Sequence, residues 1–377
     1  MKIFLDLEYI SSIPDSYKCD SDRIMQITGI NTGNFAFRHA LLNLVPNIEE
    51  FIPMNWGTLN KLLNQGSRPD KVIVSCANWL CASEEYEKSN GFRASVIEKI
   101  DCDVVSFGLG AQARTSQEKL ELGKNTIRLA NVLSSKCSFL SVRDEFTLNT
   151  LKEIGINNAV ITGCPSNFIN LDMNLGGTII KKLEVLLDSN MNWPDTKCFF
   201  SEFSGGHSYS GKTLKRILTL IHLSQSFYMI QTPIMYPFYL GETGEIHNAY
   251  LSNMPDKLDK NLLKKLLKTR LVGFSSIEHW LDFSRTFDFA SGMRIHGNMV
   301  PLQSGIPAIV IGHDSRTNGL SATMSIPVVS PEAFIEISYK NPGFLFDKML
   351  EGYQSYDTRR AELLDIMLEF IKNNGLN

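Results

Sequence analysis

The most informative segment of this 377-residue chain is residues 291–324, which read SGMRIHGNMVPLQSGIPAIVIGHDSRTNGLSATM. A run compatible with a helix, residues 298–304, is followed by a turn at Gly305 and by the apolar strand Ala308–Ile311. Short apolar strands that alternate with helices are typical of an open α/β fold with a parallel sheet. The segment therefore predicts one helix and one strand of such a layer, with polar side chains at the strand ends.

Two residues of this segment have the chemistry that a small anionic substrate requires. Arg294 carries a guanidinium that can hold phosphate or carboxylate, and His296 carries an imidazole that titrates near neutral pH. In extended backbone both side chains would point to one face, and Gly297 would leave room for substrate at the helix start. Asp314 and Arg316 follow where the next strand ends. We predict a catalytic pair of Arg294 and His296, whereas a lone histidine is otherwise a hydrogen-bonded core residue.

The alternation of strands and helices extends over most of the chain. The predicted strands are residues 71–76, 102–107, 139–142, 159–162, 198–203, 227–231, 271–274 and 308–311. The predicted helices are residues 35–44, 123–134, 144–154, 213–226, 257–269 and 277–287, with further helices in residues 344–373. This pattern predicts a doubly wound α/β architecture.

Regularity falls over residues 165–197, which contain Pro165, the pair Gly176-Gly177 and Pro194. A chain of 377 residues is also too long for one simple core. We therefore predict two α/β domains, residues 1–170 and residues 171–343. The terminal helices of residues 344–377 are expected to pack back on the first domain.

Composition excludes several classes of protein. The chain is 43% hydrophobic and 20% charged with a formal net charge of −3, so no overall basic field attracts nucleic acid. Its seven cysteines show no Cys-x-x-Cys pair and no zinc-site spacing, which fits a reducing cytoplasm and predicts no metal site. The N-terminal apolar run is too short for a signal peptide, and no apolar segment reaches the roughly 20 residues that span a bilayer. We expect a cytoplasmic protein, and peripheral contact with the inner face of the membrane remains compatible with the sequence.

Two further segments are candidates for substrate binding. Gly33 and Asn34 form a turn that opens a predicted helix, whose exposed N–H groups suit an anion or a sugar hydroxyl. The simpler reading is an N-cap by Asn34. Arg143 lies at the carboxyl end of a predicted strand, where open α/β sheets bind ligands. An ion pair with Asp144 or Glu145 is the alternative for Arg143.

Residues 206–213, GHSYSGKT, match the P-loop pattern G-x-x-x-x-G-K-[ST] between a predicted strand and a predicted helix. Such a loop would bind phosphate through backbone N–H groups and Lys212. A partner strand that ends in a convincing Mg²⁺-binding aspartate is missing, which counts against a nucleotide triphosphatase. A helix N-terminus that binds a phosphate or a sugar, and an ordinary turn, both remain open.

Together these segments resemble the polysaccharide pyruvyl transferase family. That family has an N-terminal G-N-x-G-D-type turn, an S-x-R-D-E junction, a D-P turn and a C-terminal R-x-H-G…G-x-P…D-x-K segment. The corresponding segments of this chain are residues 33–37, 141–145, 164–165 and 294–316. The chain departs from the pattern at Ala36-Phe37, which replaces the acidic residue, at Cys164 and at Arg316.

The resemblance implies two Rossmann-like lobes of the GT-B type with the active site in the cleft between them. It implies transfer of pyruvate from phosphoenolpyruvate to two hydroxyls of a sugar, which forms a cyclic ketal and releases phosphate. Arg294 would hold one anionic group of the donor, and Arg143 or Lys212 the other. His296 would carry the proton, and Asp314 would orient His296 or bind the acceptor.

The acceptor implied by the resemblance is a saccharide of a surface polysaccharide, such as a capsule or exopolysaccharide, or its lipid-linked precursor. No cofactor is expected beside the donor, and a homo-oligomer is compatible with the sequence. Three other functions remain open at this point. They are a GT-B glycosyltransferase that uses a nucleotide sugar, a P-loop nucleotide triphosphatase or kinase, and a sugar-binding protein without catalysis.

Overall fold

The computed structural model describes residues 1–6, 8–113 and 120–376. Its strands are β1 (Lys2–Leu5), β2 (Phe51–Met54), β3 (Lys71–Ser75), β4 (Leu80–Cys81), β5 (Val104–Phe107), β6 (Ala111–Gln112), β7 (Leu140–Val142), β8 (Ala159–Ile161), β9 (Cys198–Ser201), β10 (Phe227–Met229), β11 (Leu271–Val272), β12 (Phe289–Gly292), β13 (Ala308–Ile311) and β14 (Val328–Val329).

Its α-helices are α1 (Ser21–Thr28), α2 (Asn34–Leu44), α3 (Trp56–Asn64), α4 (Glu84–Ile97), α5 (Lys124–Lys136), α6 (Glu145–Glu153), α7 (Leu175–Asp188), α8 (Ser210–Leu223), α9 (Tyr236–Tyr239), α10 (Asn248–Ser252), α11 (Lys260–Arg270), α12 (Ile277–Ser284), α13 (Ile295–Gln303), α14 (Ser315–Met324), α15 (Pro331–Ile335), α16 (Gly343–Tyr353) and α17 (Tyr356–Asn373). Among the described residues, no helix combines the length and the apolarity needed to cross a bilayer.

The sheet of the first lobe contains four parallel strands in the order β2-β1-β3-β5. Ile3, Phe4 and Leu5 of β1 are fully buried, as expected for a central strand that helices cover on both faces. Strands β7 and β8 pair in parallel, and a bridge between Leu109 and Val142 joins them to the segment after β5. The carboxyl ends of these strands lie at one edge of the lobe.

The sheet of the second lobe contains six parallel strands in the order β11-β10-β9-β12-β13-β14. All four strands predicted for this half of the chain are present, and the bounds of β13 are those predicted. The sequence analysis did not single out β12, whose residues Phe-Ala-Ser-Gly have little β-propensity. The two parallel, helix-covered sheets confirm the predicted α/β class with two Rossmann-like lobes of the GT-B type.

Residues 165–197 are more regular than the sequence predicts, because the 14-residue helix α7 lies among them. The glycines that suggested a break lie in its first turn. The backbone N–H groups of Gly176 and Gly177 donate to the two carboxylate oxygens of Asp357, at 2.7 and 2.9 Å. A Cβ on Gly176 would lie 2.8 Å from the Asp357 Oδ1, so glycine is needed for this approach. A distant carboxylate thus caps a helix whose local sequence has no cap.

The last helix connects the two lobes. The Phe370 ring of α17 lies 5.2 Å from the ring of Phe107 at the end of β5, and Asn374 accepts a 2.7 Å hydrogen bond from the Lys71 ammonium at β3. Helix α16, in turn, packs against α7. The larger of the two apolar cores contains residues of both sheets. The lobes therefore meet over a packed interface, and the cleft lies at its edge.

Candidate active site

A cleft of about 780 Å³ opens between the two lobes, where the carboxyl ends of the strands meet. The first lobe contributes Asp6 after β1 and Trp79 after β3, and the second contributes Thr232 after β10, Arg294 after β12 and Arg316 after β13. Open α/β sheets bind ligands in the crevice outside the carboxyl ends of their strands. This cleft is therefore the candidate active site.

Arginine side chains dominate the charge of the cleft. Among the described residues, the arginines that line it are Arg23, Arg38, Arg93, Arg294 and Arg316. The carboxylates that line it are Asp6, Glu8 and Glu85. Five cations against three anions give the cleft a positive excess, although the whole chain has a net charge of −3. A cleft of this kind concentrates anionic substrates.

Arg294 stands at the N-cap position of α13 with extended backbone, and its side chain is placed beside a buried acid. The Oε2 of Glu202 accepts hydrogen bonds from the backbone N–H groups of Gln231 and Thr232 at 3.0 and 2.9 Å. Burial raises the pKa of Glu202 and lowers that of Arg294, and each charge opposes the shift of the other. The Nε of Arg294 and the Oε1 of Glu202 have no hydrogen-bond partner among the described residues. Arg294 thus keeps donor capacity for a ligand.

His296 does not lie beside Arg294 on an extended segment. Helix α13 begins at Ile295, so the extended backbone predicted across residues 294–296 is wrong and His296 belongs to the first helical turn. His296 is 6% exposed, and it is not among the described residues that line the cleft. Because the helix begins at Ile295, the Arg294 side chain lines the cleft, whereas His296 is buried beside it.

The imidazole of His296 is enclosed by residues of the first lobe and of the connecting segment. Its ring lies 5.4 Å from the ring of Phe37, and its Nε2 lies 3.5 Å from the thiol sulfur of Cys164. Burial, and then the charges of Arg143 and Arg316, lower the pKa of His296 well below its usual range. The imidazole is therefore neutral near pH 7 while the cleft is empty.

Arg143 follows β7 and is almost fully buried. Its guanidinium donates to Asn78 Oδ1 at 3.1 Å and to the Cys76 carbonyl at 3.2 Å, and its Cζ lies 5.3 Å from the Phe37 ring. Asp144 does not use its side chain to pair with it, but accepts a backbone N–H at the start of α6. Phe37 therefore contacts both Arg143 and His296, which brings two of the predicted site residues together.

The predicted glycines allow close packing at the site. A Cβ on Gly33 would lie 3.1 Å from the His296 Cβ, and a Cβ on Gly297 would lie 2.4 Å from the Ser201 Cβ. Asn34 lines the cleft as predicted, but Gly33 occupies the N-cap position of α2, so the N-cap reading of Asn34 is wrong. The Asn34 amide donates instead to backbone carbonyls at the end of α1.

Asp314 begins α14 and caps it, since its Oδ1 accepts the Thr317 N–H at 2.7 Å. Its Oδ2 lies 3.8 Å from the Arg316 guanidinium and accepts a hydrogen bond from Gln112 of the first lobe. Burial alone would raise the pKa of Asp314, but Arg316 and then His313 bring it below its usual range. Asp314 therefore holds Arg316 at the cleft as an anion.

One group in the described part of the chain could hold a metal ion. It consists of His207, His313 and Asp314, whose ligand atoms lie within 4.8 Å of one another. Burial lowers the pKa of His313 to about 4, so its imidazole is neutral and able to coordinate. The Arg316 charge beside Asp314 opposes a cation at this point. His207 and His313 are 106 positions apart, so short Cys/His spacings in the sequence could not reveal this cluster.

Lys212 lies apart from the other predicted site residues. The segment 206–213 does join β9 to α8, as predicted, but the helix already begins at Ser210. Lys212 is exposed on α8 and is not among the described residues that line the cleft. The structure thus brings Arg294, Asn34 and Arg316 to the cleft, sets His296 and Arg143 behind it, and leaves Lys212 outside.

Sequence reasoning missed three buried or half-buried groups of the site: Asp6, Arg38 and Glu202. Asp6 and Glu202 directly follow the apolar strands β1 and β9, so the strand-end rule applied to Arg143 could have found them. Arg38 lies four residues after Asn34 on α2 and therefore on the same helix face.

A model of the family described as polysaccharide pyruvyl transferase matches residues 31–315. No curated protein matches the chain significantly. Similar solved structures include UDP-GlcNAc 2-epimerase of Methanocaldococcus jannaschii in complex with UDP-GlcNAc and UDP, at 12% identity, covering 85% of this chain and 80% of that chain with a TM-score of 0.38. MnaA of S. aureus, in a structure with UDP, is 9% identical over 99% of this chain and 98% of that chain, with a TM-score of 0.47.

An α,α-trehalose-phosphate synthase of Burkholderia vietnamiensis is 9% identical over 91% of this chain and 80% of that chain, with a TM-score of 0.40. These similarities are distant, so the family match is what bears on function. That match spans well over half of the chain and includes the cleft residues Asn34 and Arg294. The motifs read from the sequence fall in the same range except for Arg316, which lies one residue beyond it, and the protein therefore belongs to the polysaccharide pyruvyl transferase family.

Proposed function

We propose that the protein transfers pyruvate from phosphoenolpyruvate to two hydroxyls of a sugar, forming a cyclic ketal and releasing phosphate. The observation that carries the proposal is the pair Arg294 and Arg316 on the second-lobe wall of the cleft. Phosphoenolpyruvate has a phosphate and a carboxylate, and two guanidinium groups suit these two anions. Membership of the pyruvyl transferase family supports the same reaction.

The proton needed at the methylene carbon of the donor is assigned to His296. Burial, and then the charges of Arg143 and Arg316, oppose protonation of its imidazole. The negative charges of a bound donor offset these two cations, so the pKa of His296 rises and the ring takes up a proton. Proton donors of this kind often reach their working geometry only in the substrate complex.

Protonation of the methylene carbon makes C2 of the donor electrophilic, and a sugar hydroxyl then attacks C2. The C2–O bond to phosphate breaks with its electron pair, and the phosphate takes up the proton of the first hydroxyl. The second hydroxyl then attacks C2 and closes the ketal, and its proton restores protonated His296. Fixed donors at the cleft stabilise the charge on the departing phosphate, which is the role we assign to Arg294 and Arg316. This chemistry uses no metal or organic cofactor.

We place the acceptor in the assembly of a surface polysaccharide, either as a free saccharide or as its lipid-linked precursor. Family membership supports a saccharide acceptor. A lipid-linked acceptor would bring the protein to the inner face of the membrane. The sugar and the two bridged hydroxyls are to be identified by experiment.

The proposal is tested by incubating the purified protein with phosphoenolpyruvate and a panel of soluble glycans. Transfer adds about 70 Da to an acceptor, the mass of pyruvate less one water, and releases phosphate. We expect His296→Ala to lose both signals and Lys212→Ala, outside the cleft, to keep them. Full activity in His296→Ala would remove that residue from the mechanism.

The same panel separates the alternatives. Thermal stabilisation by nucleotide sugars and none by phosphoenolpyruvate would favour a glycosyltransferase. Mg-ATP binding that Lys212→Ala abolishes would favour the P-loop reading of residues 206–213. Either result, together with no pyruvyl transfer, would overturn the proposal.

A further inference from the structure

The first-lobe wall of the cleft holds a carboxylate that the donor chemistry does not use. Asp6 directly follows the central strand β1 and lines the cleft, with a side chain that is 20% exposed. Its φ is +84°, in the left-handed region that aspartate adopts more readily than most residues with a side chain. The backbone thus holds this carboxylate at the carboxyl edge of the sheet, where ligands bind.

Asp6 is held by two side chains of the same lobe. The indole N–H of Trp56 donates to Oδ1 at 2.6 Å, and the Arg38 guanidinium donates to the Asp6 carbonyl at 2.8 Å and lies 3.7 Å from Oδ2. Burial raises the pKa of Asp6, although Arg38, Arg93 and the Trp56 hydrogen bond act in the opposite direction. A carboxylate placed in this way accepts a proton more readily than one in water.

Arg38 supplies a second, independent observation. It lines the cleft and is 1% exposed, and its Nε and NH1 have no hydrogen-bond partner among the described residues. A buried guanidinium with unmet donors is unfavourable. A sugar hydroxyl can accept from Arg38 and donate to the Asp6 carboxylate at the same time.

The wall around this pair includes an aromatic side chain that can pack against a sugar ring. Trp56 is half-buried and lines the cleft, and its ring lies 5.9 Å from that of Trp79 in an edge-to-face arrangement. The Arg93 guanidinium lies 4.4 Å from the centre of the Trp79 ring. Indole faces pack against the C–H face of a pyranose while their N–H groups remain available for polar contacts.

We propose that Asp6, Arg38 and Trp56 form the acceptor subsite, and that Asp6 accepts the proton of the sugar hydroxyl that attacks C2 of the donor. This inference rests on the proposed function. As the new C–O bond forms, the O–H bond breaks and its proton moves to an Asp6 oxygen. The C2–O bond to phosphate breaks with its electron pair, and the proton passes from Asp6 to the released phosphate. No further reactant is required.

The charges of the two walls support this division. On the first-lobe wall, the cations Arg23, Arg38 and Arg93 are matched by three carboxylates, those of Asp6, Glu8 and Glu85. On the second-lobe wall, Arg294 and Arg316 stand without a carboxylate among the described lining residues, because Glu202 and Asp314 are buried away from solvent, so the anionic donor is attracted there. A neutral diol is not repelled by Asp6 and gains a hydrogen bond from it. The donor therefore belongs to the second lobe and the acceptor to the first.

The experiment compares the wild type with Asp6→Asn and with Asp103→Asn. Asp103 precedes β5 at the opposite edge of the same sheet, is 83% exposed, and lies 3.6 Å from Lys71, so it controls for loss of a carboxylate on this sheet. Asparagine tolerates positive φ, so Asp6→Asn is expected to fold, which its thermal melting checks. The probes are phosphoenolpyruvate and a panel of p-nitrophenyl hexosides.

We expect Asp6→Asn to bind phosphoenolpyruvate as the wild type does, and to lose roughly 10²–10³-fold in kcat for transfer, together with the acid limb of the kcat pH profile. Asp103→Asn should keep the wild-type rate and profile. Trp56→Phe keeps an aromatic ring but removes the hydrogen bond to Oδ1, so the acid limb should move to higher pH.

Wild-type kcat and pH profile in Asp6→Asn would overturn this inference and leave the proposed function intact. An unshifted acid limb in Trp56→Phe would overturn it as well, even if Asp6→Asn failed to fold. If neither the wild type nor Asp6→Asn transferred pyruvate to any acceptor, the result would instead count against the proposed function.

Discussion

Donor binding should load a proton onto His296, because a bound anion offsets the charges of Arg143 and Arg316. After burial, these two charges are the causes that lower the pKa of its imidazole. The His296 ring and the Arg143 guanidinium lie 5.4 and 5.3 Å from the same Phe37 ring, so they are within roughly 11 Å of each other. At an effective dielectric of about 20, a unit charge at about 10 Å contributes about 1.7 kcal/mol. Offsetting the charges of Arg143 and Arg316 therefore raises the pKa of His296.

The window follows from the sign of this shift. Below the lowered pKa of the empty site, His296 is protonated in both states, and above its raised pKa in the complex it is neutral in both. Proton uptake therefore appears between these two values and disappears on either side.

Calorimetry of phosphoenolpyruvate binding, in buffers of different ionisation enthalpy, measures this uptake as the slope of the apparent enthalpy. The phosphate of the donor contributes its own proton exchange, so the relevant quantity is the difference between the wild type and His296→Gln at each pH. We expect proton uptake in this difference to grow as the pH falls from 8 towards 5. Equal slopes for the two proteins from pH 5 to 8 would refute the assignment of His296 as the proton carrier.

Three further outcomes follow from single contacts. The pKa of His313 is about 4 in the folded protein, against about 6.5 in the unfolded chain, so its neutral imidazole costs no stability well above pH 6.5. As the pH falls, the unfolded chain binds this proton first, and the free energy of unfolding is lowered by about 2 kcal/mol at pH 5. Chemical denaturation of His313→Asn should therefore show a free energy of unfolding that depends less on pH. Cys164→Asp would place a carboxylate beside the His296 Nε2 and should raise the pKa of that imidazole by about 1–3 units in an NMR titration. Gly297→Ala would press a Cβ to 2.4 Å from that of Ser201 and should lower the free energy of unfolding by about 1–3 kcal/mol.

Each of these has a matched control. His279→Asn makes the same exchange at an exposed histidine, so an equal flattening in both variants would show that the effect is not specific to His313. Cys164→Ser keeps the site uncharged, so an equal pKa rise in both Cys164 variants would contradict the electrostatic explanation. A Cβ at Gly205 would have open space around it. If Gly205→Ala lowered the free energy of unfolding as much as Gly297→Ala does, the loss at Gly297 would not be steric.

Local sequence was enough to predict most regular elements, because the signals that set them lie within a few residues. Hydrophobic runs placed β13 at its observed bounds, and the predicted residues 35–44 differ from α2 by one residue. The first-turn acids at Asp144 and Glu145 correctly marked the start of α6. The order of short motifs along the chain was likewise sufficient to recognise the family.

Contacts between distant residues could not be read in this way. The cap of α7 comes from Asp357, more than 180 positions later along the chain, so the glycines looked like a break. The start of α13 one residue after Arg294 moved His296 behind the cleft wall, against Phe37 and Cys164. Asp6, Arg38 and Trp56 carry no common motif, and they become neighbours because β1 and β2 end, and α2 and α3 begin, at the same edge of a sheet. Spacing along a chain records hydrophobic period and helix caps, whereas the charges and hydrogen bonds of a site depend on which edges the packed layers bring together.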